Sequence, residues 1–109
     1  MNYSIPQQKF KKIIFKYLDN KFDSFSKLYN QKFPAGVFYV LDDQIMAEVI
    51  QQQNAVVLNY DLWSNVFTLF DFRKPSEFQN VLSEWGDERF GLQNSLIDFH
   101  DFGKIHEEL

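Results

Sequence analysis

Tyr60-Asp61-Leu62-Trp63-Ser64-Asn65-Val66-Phe67-Thr68-Leu69-Phe70 and, after a break, Phe78-Gln79-Asn80-Val81-Leu82-Ser83-Glu84-Trp85 are the runs that decide how this chain reads. Both tryptophans lie in them, among large apolar residues at helical spacing. Such rings bury roughly 150–250 Å² each and dominate the energetics of a small core. The expectation is two helices with Trp63 and Trp85 both largely buried. The runs read as the centre of a fold and not as a catalytic apparatus.

Asp61 is placed to cap the first of these helices, which Arg73-Lys74 would end. Pro75 and Ser76 open the second, and Ser76-Glu77-Phe78-Gln79 has the form of a capping box. Phe78, Val81, Leu82 and Trp85 make its apolar stripe, and Gly86 or Gly91 ends it. Beyond Gly91 the chain carries Leu92, Leu96, Phe99, Phe102 and Ile105. That arm is compatible with a helix or with extended chain, and the pattern leaves both open.

Upstream, Val37-Phe38-Tyr39-Val40-Leu41, Ile45-Met46-Ala47-Glu48-Val49-Ile50 and Ala55-Val56-Val57-Leu58-Asn59-Tyr60 are rich in β-formers. Asp42-Asp43-Gln44 and Gln51 to Asn54 separate them as polar turns. Short connections favour antiparallel pairing, hence a three-stranded meander. Residues 20–35 read as a short helical turn or packed loop around Phe22, Phe25, Leu28 and Tyr29, closed by Pro34 and Gly36. Earlier still, Pro6 with Ser4 suits a helix start. Phe10, Ile13, Ile14, Tyr17 and Leu18 then follow helical periodicity as far as Asp19-Asn20. The fold class expected is α+β, in one domain over 1–109: an N-terminal helix, a three-stranded antiparallel meander, two C-terminal helices and a C-terminal arm.

At 109 residues the chain can bury a core without staples. Hydrophobic residues make up 45%, which fits a packed globule, and 13 are Phe. The absence of Cys removes disulfides and thiolate chemistry. Lys9, Lys11, Lys12 and Lys16 interrupt any signal-peptide core, and no run reaches the roughly 18 apolar residues of a membrane span. A cytoplasmic protein without a membrane partner is expected, in the host cytoplasm or the virion if viral. Net charge is −4 but uneven. Residues 1–32 hold seven Lys against Asp19 and Asp23, whereas the remainder holds four basic residues against 13 acids.

Residues 55–92 resemble a group of small uncharacterised proteins of bacteriophages and other viruses. The shared pattern is Tyr60-Asp61-Leu62-Trp63, Phe67-Thr68-Leu69-Phe70, Glu77-Phe78-Gln79, Trp85 and Leu92, and the helix around Phe15-Lys16-Tyr17-Leu18 is also similar. These are core residues. The resemblance therefore implies a fold and a viral origin, and no activity.

Candidate chemistry is sparse. His100 and His106, with Asp98, Asp101, Glu107 and Glu108, form the one metal-capable cluster, but a spacing of six does not stack two ligands on a helix face. None of the serines lies in a Gly-x-Ser-x-Gly elbow. Asp42-Asp43 suits a turn better than acid–base work. The four glycines, Gly36, Gly86, Gly91 and Gly103, make no phosphate loop. No enzyme, cofactor or metal is expected. A nucleic-acid-binding alternative rests on Lys9, Lys12 and Lys16, but Arg is scarce and the pI is about 5.0. The expected function is a non-enzymatic protein–protein interaction protein of bacteriophage or viral origin, binding another protein or itself. A second form of that reading is a small acidic inhibitor or immunity-type protein that masks a basic surface. The partner-binding candidates are Leu96, Phe99, Phe102 and Ile105, as an arm that seats in a groove of a second protomer or folds back on its own domain.

Overall fold

The computed structural model describes residues 7–31 and 35–104. The first helix, α1, runs Gln7–Asp23 and turns its stripe of Ile14, Leu18 and Phe22 into the core. It continues one turn past the Asp19-Asn20 stop expected from sequence, because Phe22 extends the stripe at i+4 from Leu18 and is itself 2% exposed. The proposed cap at Ser4 and Pro6 lies outside the described residues.

A five-stranded mixed sheet replaces the expected meander. It comprises β1 (Ser26–Asn30), β2 (Gly36–Leu41), β3 (Gln44–Ile50), β4 (Ala55–Asn59) and β5 (Leu96–His100), in that spatial order. β1 through β4 pair antiparallel, and β5 lies parallel to β4. Asp42 and Asp43 both take positive φ, the backbone of a tight two-residue hairpin. After β3, one 3₁₀ turn at Gln51–Gln53 leads to Asn54 in the left-handed region.

Helices α2 (Tyr60–Leu69) and α3 (Pro75–Phe90) lie between β4 and β5, so they form a crossover and are not C-terminal. A parallel pair needs such a crossover, since a short turn cannot return the chain to the same end of the sheet. Asn59 caps α2, its Oδ1 accepting from the Asp61 backbone N–H at 2.8 Å, so Asp61 sits in the first turn instead. α3 has no side-chain cap; Ser76 and Gln79 do not form the expected box, and Gln79 reaches β5. Gly91, at φ 69, ends α3. Gly86 stays inside the helix, where a Cβ would meet Ser95 Oγ at 3.3 Å and Val56 Cγ2 at 3.4 Å. α3 therefore rides directly on β4 and the start of β5.

Alternation along the strands gives the sheet two apolar faces. Tyr39, Ala47, Val49, Val56 and Leu58 pack against the three helices around Trp85, which is 1% exposed. On the other face Phe38 and Ile45 pack with Phe102. The segment after β5 thus folds back beneath its own sheet. Gln44 Nε2 donates to the carbonyls of Phe102 and Gly103, and Lys104 bridges to Gln44. Trp63 is only half-buried, against expectation, because it lies at the outer margin of the helix layer beside β5. Ion pairs tie α1 to α3: Lys11 with Glu84 at 2.8 Å, and Arg89 with Asp19 at 2.9 Å and Asp23 at 3.0 Å. No described helix is long and apolar enough to cross a membrane.

Candidate interaction surface

The aromatic residues of α2 form a ladder. Tyr60, Trp63 and Phe67 recur at i, i+3 and i+7, so their rings lie along one stripe of the helix. Tyr60 stacks on Trp63 at 6.4 Å, and Trp63 on Phe67 at 5.3 Å with 10° between planes. The inner end of the ladder is anchored by Phe78 of α3 and by Phe72. Its outer end meets Phe99 of β5, 4.8 Å from Trp63 and 5.3 Å from Tyr60.

Phe99 reaches this place by register. It pairs with Leu58 at the end of the row Lys27, Tyr39, Ala47, Leu58, Phe99, which faces the helices. The inner members of that row are buried, but Phe99 stands on the last strand, 41% exposed, and Tyr60 beside it is 45% exposed. Asp61 and Asp98 are exposed next to them in sequence. A rigid aromatic pair, open to solvent and held from behind by packed rings, is the anatomy of an interface anchor. Aromatic rings also bring much contact area with few rotors to freeze.

The candidates named from sequence are not brought together. Phe99 joins the ladder. Leu96, 67% exposed, points to the opposite face of the same strand, as alternation requires. Phe102 is buried against Phe38 and Ile45 in the chain's own second core. Ile105 lies outside the described residues, as do His106, Glu107 and Glu108. Lys12 and Lys16 are exposed one turn apart on α1, while the Lys9 side chain is outside the description. The residues missed from sequence are Tyr60, read as a strand end, and Trp63, read as core. Their i, i+3, i+7 spacing with Phe67 was the available signal.

Two concavities offer less. A groove of about 1070 Å³ beside the start of α1 and along α3 has Phe10, Phe70 and Phe72 in its wall. Its rim mixes Arg73 and Lys74 with Glu77 and Asp87, and Lys11 there is already paired to Glu84. A pocket of about 160 Å³ at Asp19, Trp85 and Arg89 is the polar clamp between α1 and α3. There Trp85 Nε1 and Arg89 both donate to Asp19. Burial alone would lower the Arg89 pKa, but the hydrogen bonds and charges of Asp19 and Asp23 outweigh it and raise it. The guanidinium therefore stays charged and paired with both carboxylates, which suits a structural tie and not proton transfer.

Compared with protein-family models, curated proteins and solved structures, the chain matches none.

Proposed function

We propose that this chain is a non-enzymatic interaction protein that docks another protein on the surface formed by Tyr60, Trp63 and Phe99. The observation that carries the reading is the half-open aromatic ladder, with its inner rings packed and its outer rings in water. Leaving Tyr60 and Phe99 about half uncovered forgoes burial worth roughly 1 kcal/mol or more per ring, which a partner would recover. Exposed Asp61 follows Tyr60 in the first turn of α2, which favours the acidic-inhibitor form of the reading: the partner presents basic side chains that lie over or beside the aromatic pair. Origin in a bacteriophage or another virus rests on the sequence resemblance alone, in residues 55–92 and around Phe15-Lys16-Tyr17-Leu18.

The test compares two double variants. A partner captured by the wild-type chain is expected to be lost with Tyr60→Asp/Phe99→Asp, each change costing about 2 kcal/mol or more of binding by calorimetry. Lys12→Glu/Lys16→Glu is expected to bind as the wild type does. The reverse result would move the function to the basic face of α1 and revive the nucleic-acid reading.

A further inference from the structure

The two edges of the sheet are finished differently. At β5 the helix-side elements close the outward backbone. Gln79 Nε2 donates to the Ile97 carbonyl at 3.0 Å, and Ser83 Oγ to the Ser95 carbonyl at 2.8 Å. The Asp87 carboxylate accepts from the Asn94 and Ser95 N–H groups, and Asp98 Oδ1 accepts from the Phe99 N–H. At β1, no side chain among the described residues hydrogen-bonds the backbone of Ser26–Tyr29. Ser26, Lys27, Leu28 and Tyr29 are all exposed, Leu28 at 38% and Tyr29 at 65%, so β1 stands at the margin of the sheet with part of each face open to water. An open edge of this kind is a template for another strand.

The sequence of β1 says which strand. Read against itself in the antiparallel sense, Ser26-Lys27-Leu28-Tyr29-Asn30 is self-complementary. Centred on Leu28, the register sets Leu28 against the partner's Leu28 on the face that also carries Phe38. It sets Lys27 against the partner's Tyr29, and Tyr29 against the partner's Lys27, on the helix side. No like charges stand opposite one another. An ammonium beside a phenol ring and a Leu–Leu contact are both favourable cross-strand pairs. Lys on an edge strand usually guards against pairing, yet here each Lys meets a ring. A two-fold axis generates both Lys–Tyr pairs at once.

We propose that β1 is a homodimerisation edge. Two copies join antiparallel through β1 so that their five-stranded sheets become one continuous sheet. The aromatic ladder, at the far edge of each sheet, remains open for its own partner.

Sedimentation velocity of the full chain over a concentration series reaching high micromolar tests this. The wild type is expected to sediment as a dimer. Tyr29→Lys sets Lys against Lys in both pairs and is expected to weaken association by about tenfold or more. Adding Lys27→Glu to that variant sets Glu against Lys and is expected to restore the dimer. Both side chains are exposed, so thermal melts of the variants in dilute solution are expected to match one another. A wild type that stays monomeric overturns the proposal, as does a dimer that survives Tyr29→Lys or one that the double variant fails to recover.

Discussion

Tyr39 shows what one side chain does in this core. Its ring packs at 5.1 Å from Phe22 and 5.7 Å from Phe90, and it is 6% exposed. Burial raises its phenol pKa above the ordinary value, with Arg89 partly offsetting and Tyr29 adding to the rise. A raised pKa means that the folded chain holds this proton more tightly than the unfolded chain. The associated stability is complete below about pH 10 and is lost as pH climbs through the folded-state value. Melting temperatures measured from pH 8.5 to 11 are therefore expected to fall more steeply for the wild type than for Tyr39→Phe, which has no phenol to ionise. Equal slopes would show that burial imposes no penalty on the phenolate. At this same scale Asn54 sets where β5 begins. In the left-handed region, its side chain exchanges hydrogen bonds with Gln93 while its carbonyl accepts from Leu96.

At the scale of the element, β5 is instructive because little in its own sequence makes it a strand. Leu96, Asp98, Phe99 and His100 are exposed and Ile97 is half-buried, so burial contributes modestly. Its place is held by pairing with β4 on one side and by α3 side chains on the other. Gln79→Ala and Ser83→Ala each remove a hydrogen bond to the outer edge and leave a carbonyl to find water. Each is expected to cost about 1 kcal/mol by urea unfolding. Hydrogen exchange should localise the effect, speeding up in Leu96–His100 while the β2–β3 hairpin keeps its protection. Uniform acceleration would mean that β5 opens only with the whole fold.

Over the whole molecule, the second apolar face of the sheet decides how the C-terminal segment lies. Phe38 and Ile45 stand on the side away from the helices, where Val40 and Val57 are only half-buried. Phe102 covers them, and the Gln44 amide anchors the segment by donating to the Phe102 and Gly103 carbonyls. Phe102→Ala is expected to lower stability by about 3–5 kcal/mol and to expose an apolar face that takes up a hydrophobic dye. A small loss with no dye binding would show that this face closes without the aromatic ring. The charge asymmetry between the first 32 residues and the rest is also met inside the molecule in part, since Lys11 pairs with Glu84 while Asp19 and Asp23 take Arg89.

The sequence by itself determined the segments whose periodicity is local: the stripe of Ile14, Leu18 and Phe22, the β-formers of β2, β3 and β4, and the runs around Trp63 and Trp85. Each buries a face that its own spacing announces. Their assembly was decided elsewhere. β1 carries no apolar alternation because each of its faces stays partly open to water, and its strand conformation rests on pairing with β2. β5 stayed ambiguous because its partners, Asn54, Gln79, Ser83 and β4, are remote in sequence, and hydrogen bonds to remote groups leave no periodic trace. The half-exposure of Trp63 and the burial of Phe102 follow from the same cause. Spacing told which residues are apolar, but only the three-dimensional order of strands told which of them stand at an edge, where water remains, and which stand beneath the sheet, where it is excluded.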